Sequence, residues 1–172
     1  MLSLSDNEFS VINFLVRNFT EKLTIRSIAQ RLNFSAAGVF NILKKLEKEG
    51  IAVGQRLGTG LFYSINLDNK LSQHLAAIVL LYSKEKPAIN VEKMKYAKSA
   101  VFDMSTLLLV IDNITNIEVD VPNVNVISKT EDEIIELFKK KDQEMMQLLK
   151  KGIVLFGEEK IVNIIKNCSR GF

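Results

Sequence analysis

Ser35, Ala37, Gly38, Asn41, Lys44 and Lys45 fall within one short stretch of the chain. Their types suit one kind of chemistry, which is gripping a polyanion while reading an ordered edge pattern. An asparagine amide can pair bidentately with adenine, and an alanine methyl can meet the methyl of thymine. Ala37 and Gly38 are small and permit close approach. Ser35 can cap a helix and donate to a phosphate, and Lys44 and Lys45 can meet backbone oxygens. A little further on, Gln55, Arg56 and Thr59 sit in or near a glycine-flanked tip, Leu57-Gly-Thr-Gly60. From there Arg56 could reach a minor groove or its phosphates. The expected partner is double-stranded DNA.

Such residues work only if helices and a hairpin position them. Ser5-Asp-Asn-Glu8 fits a capping box, and Phe9, Ile12, Leu15 and Val16 follow at helical spacing. Thr24 caps a second helix that should bury Ile25, Ile28, Ala29 and Leu32. That helix ends near Asn33, and Phe34 plugs the turn. Ser35 opens a third helix, with Val39, Ile42, Leu43 and Leu46 inside and Gly50 as its stop. The turn of about three residues between the second and third helices is the spacing that lets the latter enter a major groove. Residues 51–55 and 61–65 read as two strands around the tip, the hairpin that would serve as a wing.

Asp68 or Asn69 can cap a further helix reaching about Lys84. Leu71, Leu75, Ile78, Val79 and Tyr82 line one side, and Leu80 and Leu81 widen it. A helix this apolar needs a partner. His74 lies on or beside that face and reads as a packed or interface residue. Lys84-Glu-Lys-Pro87 marks a boundary, and residues 90–98 read as a short helix. Thr106–Ile111 is a continuous apolar run, as in a strand buried on both faces. Residues 117–121 alternate strictly and 124–127 continue as strand, with Pro122 at a kink or bulge. Thr130-Glu-Asp-Glu133 is another capping box, for a helix with Ile134, Ile135 and Phe138 inside. A helix at about 142–151, a stop at Gly152, a strand at 153–156, a turn at Gly157 and a last helix over 161–165 complete a small α/β unit. The expected domains are 1–67, a winged helix-turn-helix; 68–98, a connecting helical segment; and 99–172, the α/β unit.

Charge follows this division. Residues 1–88 carry eleven Lys and Arg against seven Asp and Glu, and the remainder carry twelve against thirteen. The positive excess lies in the half that would meet phosphate. Cys168 is the single cysteine, so no internal disulfide can form, as in a reducing compartment. The first ten residues have no basic start and no long apolar run, so no secretory signal is expected, and no segment reaches bilayer-spanning length. These features predict a cytoplasmic protein with no membrane partner. Zinc spacing is absent, and Gly58-Thr-Gly60 lacks the Lys-Ser/Thr of a phosphate loop. The one histidine lies on an apolar helix away from any nucleophile. No cofactor is expected.

Two resemblances add to this reading. Residues 5–66 resemble the winged helix-turn-helix domains of archaeal and bacterial regulators of the broad MarR/ArsR type. The Thr24–Leu32 helix, the stretch Ser35 to Leu46, Leu-Glu-Lys-Glu-Gly-Ile at 46–51 and the hairpin to Tyr63 carry the likeness. Ser128 to Asp142 and Leu149-Lys-Lys-Gly-Ile-Val-Leu-Phe-Gly157 resemble the tail of a minimal nucleotidyltransferase domain. That family implies a Gly-Ser turn, an Asp-x-Asp pair and a third carboxylate for metal-assisted transfer. Ala100 to Ile111 stands in the corresponding region without Gly-Ser or Asp-x-Asp. Asp112 lies at the strand end and Asp120 near the third carboxylate's place, with Glu118 on its face.

The fold expected is α+β: a winged helix-turn-helix with a three-helix core and β-hairpin wing, then a helix, then a small α/β domain resembling a truncated, inactive nucleotidyltransferase. The function expected is a sequence-specific DNA-binding transcriptional regulator, acting as a homodimer and leaving room for an unidentified small-molecule or nucleotide effector. Two alternatives stand beside it: a divergent metal-dependent transferase using Asp112 and Asp120, and a protein-interaction module built on the winged helix.

Overall fold

The computed structural model describes residues 4–82, 87, 89–112, 119 and 121–169. The chain divides into two compact units, meeting in sequence at Val79 and Leu80.

The first unit begins with α1 (Asp6–Arg17), α2 (Ile25–Leu32) and α3 (Ala36–Lys48). Each starts where a side chain satisfies the free N–H groups of a first turn. Ser5 Oγ accepts from Glu8 N–H at 3.3 Å while Ser5 N–H donates back to the Glu8 carboxylate at 2.7 Å. Thr24 and Ser27 make the same reciprocal pair at 3.1 and 2.9 Å. Ser35 Oγ accepts from Gly38 N–H at 3.1 Å. The ends are equally defined. Asn33, at φ 56°, closes α2 in a Schellman pattern, with Asn33 N–H on the Gln30 carbonyl and Phe34 N–H on the Ala29 carbonyl. Gly50, at φ 71°, closes α3 in the same way, Ile51 N–H reaching the Leu46 carbonyl at 2.8 Å.

These caps aim the apolar stripes inward. Val11, Ile12, Leu15, Val16, Ile28, Val39 and Leu43 are fully buried. Phe9, Ile25, Leu32 and Ile42, expected inside, are only half-buried at the margins of that core. Strands β1 (Ala52–Leu57) and β2 (Gly60–Ile65) pair antiparallel from Ala52↔Ile65 to Leu57↔Gly60. The hairpin is tighter than expected. Its connection is only Gly58-Thr59, with positive φ at Gly58 alone, the pattern of a type II′ turn. Helix α4 (Lys70–Tyr82) follows, with Asn69 Oδ1 accepting from Leu71 N–H at 2.9 Å. The Gly50 carbonyl, left free at the end of α3, accepts from the side chains of Asn66, Asn69 and Ser72. The end of α3 and the start of α4 are thereby locked to each other.

In the second unit a 3₁₀ turn, Val91–Met94, replaces the longer helix expected over 90–98. A strand absent from the sequence reading, β3 (Ser99–Phe102), comes next, then β4 (Thr106–Ile111), β5 (Asn125–Thr130), α5 (Glu131–Lys139), α6 (Gln143–Lys151), β6 (Ile153–Phe156) and α7 (Glu158–Ser169). The sheet order is β5-β4-β3-β6, with β4 and β5 parallel and the other pairs antiparallel. As its unbroken apolar run predicts, β4 is buried along its whole length, and so is β3. On one face Ala100, Phe102, Leu107, Leu109 and Leu155 cluster with Met94, Ala97 and Val119. On the other, Val101 lies against the end of α6 at Gly152. Glu131 at the start of α5 accepts from Lys160, Asn163 and Asn167 on successive turns of α7. The strand expected over 117–121 falls mostly outside the described residues.

Candidate nucleic-acid interface

The core of the first unit takes Val39, Leu43 and Leu46 from α3, which fixes what that helix turns outward: Ala36, Ala37, Phe40, Asn41, Lys44, Lys45 and Lys48 are all exposed. These positions recur at three- and four-residue intervals and form one continuous stripe. Ala37 and Asn41 lie in its N-terminal half, where a groove-entering helix comes nearest to base edges. Ser35 is exposed at the cap, with its hydroxyl oxygen engaged by Gly38 N–H. A Cβ at Gly38 would stand 3.0 Å from that oxygen, so the small residue keeps the cap intact.

The two lysines already have anionic neighbours. Lys44 Nζ lies 2.8 Å from the Glu47 carboxylate, whose hydrogen bond and charge raise the lysine pKa. Lys45 Nζ lies 2.7 Å from Glu8, whose side chain is only 9 % exposed. Burial pushes the Glu8 carboxyl up. Lys45 and the Ser5 N–H and hydroxyl outweigh that and hold it below the ordinary carboxylate value. One carboxylate therefore completes the α1 cap and ties α1 to α3. Lys45 is held by Glu8 before it can meet a phosphate.

Three exposed cations of the first unit have no ion-pair partner among the described residues and bear on DNA binding. Lys48 is exposed on the last turn of α3, Arg26 on the first turn of α2, and Arg56 on β1. Arg26 is not among the residues expected from the sequence to meet DNA, and its only signal there is its place two residues after the Thr24 cap. Arg31, in contrast, stacks 4.5 Å from the Phe14 ring centroid and pairs with Glu21 and Asn18.

The wing residues do not act as one group. Arg56 pairs in register with Leu61 and Gln55 with Phe62, so their side chains leave opposite faces of the hairpin. Arg56 shares the face of Gly54. A Cβ on Gly54 would stand 2.9 Å from Glu47 Oε1 on α3. Arg56 therefore stands on the α3 side, one strand repeat of about 7 Å beyond that contact. Gln55 looks away, and of the three only Thr59 occupies the tip.

Elsewhere, Asp112 pairs with Lys98 at 3.0 Å. The Asp103 carboxylate accepts from Ser105 and Thr106 N–H and so shapes the β3–β4 turn. Glu118 and Asp120 lie outside the described residues. No group of three or more potential metal ligands occurs among the described residues. Among the same residues no helix is long and apolar enough to cross a membrane. His74, expected to be packed or at an interface, is exposed on α4.

Residues 2–59 match the model of the MarR family. The match runs through α1, α2, α3 and β1 into the turn of the hairpin. No curated protein matches the chain. The N-terminal unit thus contains a MarR-family winged helix domain, which accounts for about a third of the chain.

Proposed function

We propose that the protein is a DNA-binding transcriptional regulator whose N-terminal winged helix reads duplex DNA. Helix α3 enters the major groove, with Ala37 and Asn41 at base edges. Arg56 grips the flanking backbone or minor groove from the α3 side of the hairpin. The observation that carries this reading is the exposed stripe of α3, free of acidic side chains from Ala36 to Lys45, ending in the unpaired Lys48, with the unpaired Arg56 on the α3 side of the hairpin. In this reading Lys44 and Lys45 serve phosphate only by exchanging partners.

A single winged helix covers a short site, and specific binding calls for two copies. The working form is therefore a homodimer in the cytoplasm, joined through α4 or the second unit. The second unit, likened to a nucleotidyltransferase tail through Leu149–Gly157, would serve assembly or the sensing of a nucleotide or small molecule rather than catalysis. Asp112, one of the two carboxylates a transferase would need, is engaged by Lys98. Selection of bound fragments from sheared genomic DNA, followed by hydroxyl-radical footprinting, tests the proposal. Two protected half-sites about one helical turn apart are expected. Absence of any enriched fragment would overturn it.

A further inference from the structure

Phe40 belongs neither to the buried stripe of α3 nor to the pair Ala37 and Asn41. It sits on α3 directly after the fully buried Val39 and three residues before the fully buried Leu43, yet it is 44 % exposed. With Ala36 one turn before it and Ala37 three residues before it, it makes the N-terminal half of the stripe apolar, with Asn41 as the polar exception. The next residue on its own row, Lys44, is drawn to Glu47 at 2.8 Å.

The exposed part of an aromatic ring on a folded helix forgoes apolar burial unless a ligand covers it. In a major groove the apolar feature at a base edge is the 5-methyl group of thymine, and phenylalanine is among the side chains that meet it. We infer that Phe40 is a specificity-determining residue that packs its ring on a thymine methyl in each half-site, beside the base read by Asn41. The inference rests on the DNA-binding reading above. A protein surface would also cover a ring. The unpaired Lys48 on the same helix row and the unpaired Arg56 on the α3 side of the hairpin favour a polyanion.

The test uses the full-length protein and the duplex it selects from genomic DNA. Each thymine in turn is replaced by deoxyuridine, which removes one methyl and leaves pairing intact. Wild type is expected to lose about fourfold in affinity at one thymine per half-site, the worth of one buried methyl. Phe40→Ala is expected to lose a similar factor on the parent duplex and to be indifferent to uracil at that position, whereas Phe40→Leu keeps part of the sensitivity. Sedimentation and thermal unfolding of Phe40→Ala should match wild type. Tight binding with no methyl sensitivity, or with the same sensitivity retained in Phe40→Ala, would overturn the inference and leave the regulator reading standing. Dissociation of the oligomer in Phe40→Ala would assign the ring to a protein interface and also overturn it. Failure to bind any duplex would remove both.

Discussion

Glu8 and Lys45 link stability to site geometry at the scale of single residues. Glu8 closes the first turn of α1 through Ser5 and holds the ammonium of α3 at 2.7 Å. Because its folded pKa lies below the ordinary value, the pair's stability is fully present above about pH 5 and is lost as the pH falls through the lowered pKa. Glu8→Gln should cost about 1 kcal/mol at neutral pH. Urea titrations from pH 7 to pH 3 should show the gap to wild type closing on the acid side, and a gap independent of pH would contradict the assignment. Cys168 offers a second check. Burial, then the neighbouring Glu131 carboxylate, pushes its thiol up to about 12. Alkylation by iodoacetamide should be slow in native protein and rapid in urea. Equal rates would show that the thiol is not on the buried side of α7. Glu8's place in the Ser5 box was legible in the sequence, but its pairing with Lys45 was not, because the two lie on different helices and nothing in local spacing joins them.

Helices and turns were more legible, because their signals are local. The boxes at Ser5 and Thr130 and the cap at Ser35 stand in the sequence beside the N–H groups they satisfy. The Schellman closures at Asn33 and Gly50 lie next to the residues that require them. Strand β3 was not legible. Four residues, all buried, follow a 3₁₀ turn and give no alternation to read, and its second partner, β6, lies about fifty residues away in sequence. The hairpin was visible but its tip was drawn too long, which placed Gln55 and Arg56 together although the register sends them to opposite faces. Gly152 marks a test at this scale. An added Cβ would stand 2.4 Å from the Leu148 carbonyl oxygen and 2.5 Å from Val101 Cγ1. Gly152→Ala should therefore destabilise the second unit by about 1–3 kcal/mol. An unchanged urea midpoint would show that α6 does not press on β3 there.

For the whole molecule, the question is what a winged helix needs beyond itself. Helix α4 leaves Leu71, Ile78, Leu81 and Tyr82 exposed, an apolar row rarely left to water on a lone chain. In the homodimer reading Ile78→Glu should shift sedimentation from dimer to monomer and weaken operator binding at least tenfold. Wild type that sediments as a monomer bound to DNA would contradict it. The central claim is narrower, that the α3 face and Arg56 engage duplex DNA. Its most direct test is fluorescence anisotropy on the selected fragment at two salt concentrations, with wild type, Lys48→Ala and Arg56→Ala side by side. The account predicts tight binding with a steep salt slope, reduced by about one in each variant, because each removes one phosphate contact. Affinity no better than about 10⁻⁴–10⁻⁶ M for every duplex at physiological salt, or slopes identical in all three proteins, would contradict it.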